Sequence, residues 1–155
     1  MSPCGVEQVL NYLCISENIG TAGQPVEDQF ADIKASGYEV VINLAMPDST
    51  NALTNEAELV TGQGMDYVHI PVLWEDPKDD NVDRFFEVMG RYGDRKVFVH
   101  CALNWRVSCF VFLYRVIRLG VPNEIARETL LKMWEPNPTW QRFIEKSLSR
   151  YGASR

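Results

Sequence analysis

A cysteine and an arginine stand close together in the segment FVHCALNWRVS, residues 98–108. Four residues separate Cys101 from Arg106, and His100 directly precedes the cysteine. A thiolate is a strong nucleophile, and a guanidinium can bind two oxygens of a tetrahedral anion at once. This combination of residue types predicts nucleophilic chemistry on an oxyanion.

The residues on either side predict a strand, a turn and a helix. KVFVH at 96–100 is typical of a strand buried on both faces, and VSCFVFLYRVIRLG at 107–120 predicts a buried central helix that ends at Gly120. Backbone amides at a helix N-terminus lack helical partners and, with the helix dipole, favour an anion or a thiolate. We therefore expect the turn that begins at Cys101 to bind an oxyanion through the residues Ala102, Leu103, Asn104, Trp105 and Arg106.

A structural interpretation of the same pair is also open. Free cysteine is among the most buried residue types, so on this interpretation Cys101 only packs at a strand end. Arg106 would then pair with a surface carboxylate. The position of both residues between a strand and a helix favours the chemical interpretation.

Further apolar runs predict an α/β fold. YEVVINL (38–44) and YVHIPVL (67–73) are typical of strands, and LCISENIGTAG (13–23) supplies one or two short ones. These runs alternate with helical periods. We predict a central, mostly parallel sheet of about four to five strands, flanked by helices on both faces.

Amphipathic helices are predicted between and after the strands. The first begins at Pro25 and carries its apolar stripe on Val26, Phe30 and Ile33, and Asn81 is the predicted N-cap of the next. The predicted helical segments are 25–37, 81–93, 122–134 and 138–151.

Length and charge restrict the function. A chain of 155 residues fits a single domain, 1–155, with a frayed tail at 152–155. Its net charge of −6 argues against a nucleic-acid or anionic-membrane surface, because the protein's own field repels such polymers. Without a long apolar stretch or a secretory start, the expected location is the cytoplasm.

The cysteines and histidines do not predict a metal site. The chain has four cysteines and two histidines, with no Cys-x-x-Cys pair, so we expect neither a metal nor another cofactor. Sparse, unpaired cysteines suit a reducing compartment. Cys109 is predicted to pack within the central helix, and His69 to belong to the sheet. A redox role is not expected of the remaining two, which are Cys4 and Cys14.

These features resemble the cysteine-dependent protein tyrosine and dual-specificity phosphatases, and most of all a small, mostly bacterial phosphatase-like family. In that superfamily the cysteine attacks phosphorus, and the loop amides and the arginine hold the transferred group. A separate aspartate protonates the leaving oxygen, and the cysteinyl-phosphate is then hydrolysed without metal. The resemblance implies a phosphatase-like hydrolase that acts on a phosphomonoester. It extends over TAGQP (21–25), VINL (41–44), HIPV (69–72) and the His-Cys-x4-Arg loop.

The resemblance also implies a general acid on the loop LWEDPKDDN, residues 73–81. Asp76 is our choice, because Pro77 keeps it extended and it lies clear of the helix cap. Glu75 is the alternative. Acids in a first helical turn interact with the helix dipole, which gives a different explanation for Asp79 and Asp80.

Supporting roles are implied for residues around the loop. His100 would orient the loop and support the thiolate, and Ser108 matches a hydroxyl that stabilises the departing thiolate if one gap is allowed. Asn43 either braces loop carbonyls or ends its strand. Trp140 is a candidate for the border of the site.

The loop departs from the usual phosphatase signature, which has five residues between cysteine and arginine. The four found here leave five amides where six normally surround three oxygens. A four-residue spacing also resembles the rhodanese loop, whose smaller cradle suits a persulfide on Cys101. Asn104 stands where both families often use glycine, and asparagine tolerates a left-handed backbone better than most residues. A rhodanese-like sulfurtransferase and a non-catalytic phosphate-binding module are therefore the alternatives.

Overall fold

The computed structural model describes residues 5–49 and 51–153, and its centre is a five-stranded sheet. The strand order is β1-β2-β5-β3-β4; β1 runs antiparallel to β2, and the other neighbours are parallel. This confirms the predicted mostly parallel sheet. The strands are β1 (Leu13–Cys14), β2 (Ile19–Ala22), β3 (Val40–Asn43), β4 (Asp66–His69) and β5 (Val97–His100).

Helices cover both faces of this sheet, as predicted. Val40 and Ile42 of β3 pack with α3 to α6, whereas Val41 faces the opposite side and packs with α1, α2 and an N-terminal 3-10 turn. The helices are α1 (Gln29–Ala35), α2 (Glu56–Gly62), α3 (Asp79–Tyr92), α4 (Trp105–Ile117), α5 (Asn123–Leu131) and α6 (Pro138–Arg150), and the 3-10 turn is Gly5–Gln8.

The central helix α4 runs through the larger core. Its residues from Arg106 to Tyr114 are all buried, which confirms the interpretation of its apolar sequence. The helix ends at Ile117, three residues before the predicted end at Gly120, where the backbone has φ +71°.

Several predicted boundaries were wrong. The segment 67–73 leaves the sheet after His69. Val26 is 59% exposed and belongs to a turn, so the buried stripe of α1 starts at Phe30. Asn81 is not an N-cap: α3 begins two residues earlier, and the Asn81 Oδ1 accepts a hydrogen bond from the Lys78 amide at 3.0 Å.

Helix α2 was not predicted. Its surrounding segment, 51–64, is mostly polar, and the helix buries only Glu56 and Val60. A short helix without an apolar stripe gives no periodic signal.

The two ends of the chain are only partly described. Ala153 donates its amide to the Leu148 carbonyl at 2.7 Å, while residues 154 and 155 of the predicted tail, like Cys4, lie outside the described residues. Among the described helices, none is both long and apolar enough to span a bilayer.

Candidate active site

The Cys101 loop lies at the carboxyl end of the parallel strands. Ala22 of β2 and Asn43 of β3 both pair in register with His100, the last residue of β5. The segments that follow these strands therefore meet the segment 101–104, which leads into α4. In open α/β sheets, ligands bind at this edge.

The loop presents backbone donors that have no acceptor within residues 5–49 and 51–153. Among the hydrogen bonds of the described residues, none is donated by the amides from Ala102 to Arg106. The Cys101 amide, in contrast, donates to the Ala22 carbonyl at 3.3 Å. Five successive free amides before a helix dipole suit an anion.

Asn104 turns the chain into the helix. Its backbone is left-handed, with φ 72° and ψ 3°, at the position where related loops use glycine. Its buried side chain donates to the Asn11 carbonyl at 2.9 Å and to the Thr21 hydroxyl at 3.0 Å. These bonds hold the loop against β2.

Cys101 and Arg106 share one pocket, of about 220 Å³, which is open to solvent. The Cys101 side chain is only 1% exposed, so its sulfur lies at the inner surface. The structure thus brings together the two residues on which the sequence argument depends. The pocket is lined by Trp74, Cys101, Ala102, Leu103, Trp105 and Arg106.

The guanidinium of Arg106 is fixed between two loops. Nη1 donates to the Val72 carbonyl at 2.9 Å, and Nη2 donates to the Ser49 hydroxyl at 3.2 Å. The side chain is buried, and it pairs with no carboxylate within the described residues. A guanidinium has five N–H donors in all, so others remain for an anion.

His100 is buried behind the loop and contacts a carboxylate that the sequence argument missed. Its Nε2 lies 2.6 Å from Glu56 Oε2, and its Nδ1 lies 3.3 Å from the Cys101 carbonyl oxygen. Gln24 donates through Nε2 to the other Glu56 oxygen at 2.9 Å. The available signal was limited to two acids, Glu56 and Glu58, in a polar segment together with the TAGQP motif.

Glu56 is held as a carboxylate. Burial raises its pKa, but the charge and hydrogen bond of His100 and the hydrogen bond of Gln24 outweigh that effect, so the pKa lies below the ordinary value. For Tyr67, burial and then the Glu56 charge raise the pKa to about 12. The site therefore contains a buried anion behind the cysteine.

Asn43 ends strand β3, which confirms one of the two roles expected of it, and its side chain has partners other than the loop carbonyls. Its Oδ1 accepts from the Ala45 amide at 2.9 Å, and its Nδ2 donates to the Tyr67 hydroxyl at 3.1 Å. It thus stabilises the turn after β3, and not the carbonyls of the Cys101 loop. His69 ends β4 and contacts the Ala45 carbonyl at 2.7 Å, in keeping with a place in the sheet.

Ser108 does not have the geometry expected of it. Its hydroxyl donates to the Trp105 carbonyl at 2.6 Å and accepts from Trp134 Nε1 at 3.0 Å. A serine in the first turn of a helix readily bonds a preceding carbonyl. Its proton is therefore not directed at the Cys101 sulfur.

The four tryptophans of the chain form one cluster beside the pocket. Trp105 stacks on Trp134 with ring centroids 5.0 Å apart, and Trp74 lies 5.3 to 5.9 Å from the other three rings. Trp140 Nε1 donates to the Trp74 carbonyl at 3.0 Å, which ties the acidic loop to α6. Trp74 and Trp105 line the pocket, and Trp140 lies behind them.

The candidate acids are not in the pocket lining. Asp76 follows the pocket residue Trp74 by two positions in the sequence. Its side chain is 62% exposed and pairs with Lys78 at 2.5 Å. Glu75 and Asp80 are also exposed. Asp79 lies in the first turn of α3 and pairs with Lys146 and Arg150, which supports its structural interpretation.

The other cysteines differ from Cys101. Cys109 is buried in α4, where burial raises its pKa, and Cys14 is exposed. No group of His, Cys, Asp or Glu residues in the described ranges has a metal-binding arrangement.

Sequence comparisons identify similar proteins. Residues 16–145 match a family, PTP-NADK, described as a DSP-PTPase phosphatase fused to NAD+ kinase. A beta-lactamase hydrolase-like protein of Agrobacterium fabrum is 32% identical over 91 residues, which are 56% of this chain and 21% of that protein. The chain thus spans about a fifth of the length of this curated relative.

Solved structures have the same fold. A DUF442 protein of Shewanella putrefaciens CN-32, described as a phosphatase candidate, is 34% identical, with a TM-score of 0.87 over 95% of this chain and 97% of that one. The core catalytic domain of the PP-IP phosphatase SIW14 from S. cerevisiae, solved with citrate, is 12% identical, with a TM-score of 0.74 over 94% of each chain. The second comparison shows the fold alone.

Proposed function

Because the chain belongs to the PTP-NADK family of DSP-PTPase phosphatase domains, we propose that it hydrolyses a phosphomonoester by attack of Cys101 on phosphorus. One observation supports this proposal: Cys101 and Arg106 line a single pocket, and the backbone amides from Ala102 to Arg106 donate no hydrogen bond within the described residues. A phosphoryl group in this pocket would be held through its oxygens by the amides and the guanidinium, next to the sulfur.

The proposed reaction has two steps. In the first, the Cys101 thiolate forms an S–P bond while the P–O bond to the leaving group breaks, and Asp76 donates a proton to the departing oxygen. In the second, Asp76 accepts a proton from water, whose oxygen attacks phosphorus, and the S–P bond breaks to release phosphate and the thiolate. Asp76 must separate from Lys78 for this role.

The pocket walls favour a substrate with one phosphoryl group on an apolar or aromatic group. Of the six lining residues, Arg106 is the basic one, whereas Trp74, Leu103 and Trp105 are apolar. A ring or alkyl chain next to the phosphoryl group would bury area against these side chains.

A sulfurtransferase is the second candidate, supported by the four-residue loop and by the solvent-facing Asp76. Transfer of the sulfane sulfur of thiosulfate to the Cys101 thiolate releases sulfite and forms a persulfide, whose outer sulfur then passes to cyanide and regenerates the thiolate; neither step needs a general acid of this kind. Such an enzyme would form thiocyanate and carry one additional sulfur on Cys101.

The test is hydrolysis of p-nitrophenyl phosphate by the purified protein. We expect Cys101→Ser to abolish turnover, because an alcohol at that position is a far weaker nucleophile than a thiolate, while thermal stabilisation by inorganic phosphate is retained. Cys14→Ser, which changes an exposed cysteine, is the control and should keep full activity. Equal activity in Cys101→Ser would eliminate the proposal.

A further inference from the structure

Glu56 is a buried charged residue to which the proposed reaction assigns no role. It is 3% exposed, on the unpredicted helix α2, and its two carboxylate oxygens have different partners. Oε2 contacts His100 and Oε1 accepts from Gln24. Taking a carboxylate out of water is costly unless its partners are well placed, so the arrangement calls for an explanation.

The partners of His100 identify the protons on its ring. The Cys101 carbonyl oxygen can only accept, so the contact at 3.3 Å requires a proton on Nδ1. The carboxylate of Glu56 likewise accepts at Nε2. Both ring nitrogens thus face acceptor oxygens, and this arrangement fits an imidazolium next to the residue that carries the nucleophile.

The second oxygen of Glu56 reaches the other side of the loop. Gln24, which donates to Oε1, also donates its backbone amide to the Ala102 carbonyl at 3.0 Å. This approach requires glycine at position 23, because a Cβ on Gly23 would lie 2.6 Å from the same carbonyl oxygen. The Glu56 carboxylate thus contacts His100, which precedes Cys101, and Gln24, which binds the residue that follows Cys101.

We propose that Glu56 is a positioning residue, which keeps His100 doubly protonated and, through Gln24, fixes Cys101 and Ala102 in the geometry for nucleophilic attack. The proposal deepens the proposed function and rests on it for the identity of the nucleophile.

The surroundings of Glu56 and His100 contain few other titratable groups. Tyr67 and His69 on β4 act electrostatically on Glu56, and Cys101 adjoins His100. Tyr67 is neutral at ordinary pH because its pKa is about 12. Glu56 is therefore the carboxylate in contact with the His100 ring.

The first test needs no variant. Nitrogen-15 NMR of the wild-type protein at about pH 7 should show protons on both ring nitrogens of His100. The chain has two histidines, so the signals are assigned by comparison with His69→Gln. An unprotonated ring nitrogen in His100 would overturn the proposal, even if every Glu56 variant fails to fold.

The second test is the rate at which iodoacetamide alkylates Cys101, followed by mass spectrometry of its peptide. Glu56→Gln should lower the rate about tenfold at about pH 7 and leave it unchanged at about pH 10, where the thiol ionises without help. Glu58→Gln, an exposed acid on the same helix, is the matched control and should alkylate like the wild type.

Two results would contradict this role. A rate within about twofold of wild type at both pH values would show that Glu56 does not influence the nucleophile. An equal decrease in the alkylation rate at both pH values would show that the substitution only alters the access of iodoacetamide to Cys101. Neither depends on phosphatase turnover, so an inactive wild-type protein with the expected alkylation would reject the proposed function and leave this inference standing.

If the wild-type protein hydrolyses a phosphomonoester, steady-state kinetics of Glu56→Gln provide a third test. Glu56→Gln should lower kcat about tenfold with little change in KM, because the binding residues Arg106 and the loop amides are retained. A change confined to KM would contradict a role in placing the nucleophile.

Discussion

The role proposed for Asp76 requires a change in the position of its side chain. Its carboxylate faces solvent beside Lys78, but its loop is held at the pocket by Trp74, whose carbonyl accepts from Trp140. The proposed role requires the loop after Trp74 to move and bring the Asp76 carboxylate to the pocket. Lid and loop movements of this kind complete many active sites.

Replacing Asp76 tests this role directly. We expect Asp76→Asn to lower kcat/KM, which reports the first step, about 100-fold for an alkyl phosphate, whose leaving oxygen needs a proton, and to have little effect on kcat/KM for p-nitrophenyl phosphate. Steady-state kinetics with the two substrates measure the difference. Asp80→Asn, another exposed acid of the same segment, is the control, and equal effects on both substrates would remove Asp76 from the mechanism.

At the scale of elements, the start of α4 depends on a non-glycine residue in a left-handed conformation. Asn104 accepts this backbone because its side chain bonds Asn11 and Thr21. The loop geometry is therefore maintained by side-chain bonds to neighbouring segments in addition to its own backbone.

Two substitutions separate the backbone from the side chain. Asn104→Ala loses both side-chain bonds and keeps the unfavourable φ, so we expect a loss of about 1–3 kcal/mol in the free energy of unfolding. Asn104→Gly also loses the bonds but relieves the backbone, and its loss should be roughly 0.5–1 kcal/mol smaller. Urea unfolding measures both, and the opposite order would contradict this explanation.

The elements differ in how far the sequence predicts them. Strands β3 and β5 and helix α4 were predicted because their consecutive apolar residues are buried on all sides. Helix α2 has no such run. The importance of Glu56 depends on a contact with His100 across 44 residues of sequence, which local patterns do not contain.

In the site, too, the sequence predicts the locally determined positions but not the side-chain partners that the tertiary fold brings together. The spacing of Cys101 and Arg106 was sufficient to place both residues at one pocket, because a strand, a turn and a helix determine that geometry locally. The partners of Ser108 and Asn43 were wrong, since a side-chain hydroxyl or amide takes whichever donor or acceptor the tertiary fold brings nearest.

At the scale of the whole molecule, Glu56 links folding to pH. Its folded pKa lies below the ordinary value of 4.5, so the unfolded chain binds this proton more readily. The stability that Glu56 contributes is present above pH 4.5 and is lost as the pH falls from there through the lower folded pKa.

Unfolding curves of two proteins isolate this contribution. Between about pH 4.5 and about pH 3, well below the ordinary histidine pKa of about 6.5, wild type should lose more stability than Glu56→Gln, whose amide does not titrate. Asp83, whose pKa is lowered by its hydrogen bond from Arg150, titrates equally in both proteins and cancels in the comparison. Parallel losses in the two proteins would mean that Glu56 is not held as a carboxylate.

Attack of Cys101 on phosphorus is tested most directly by the mass, after a single turnover, of the peptide that contains this residue. With a phosphomonoester, acid quenching of the Asp76→Asn protein, whose second step is slowed, should trap a phosphoryl group on the peptide that contains Cys101. The contrary result is a Cys101 peptide that gains one sulfur atom from thiosulfate and never gains a phosphoryl group from any phosphomonoester. That result would contradict the attack of Cys101 on phosphorus.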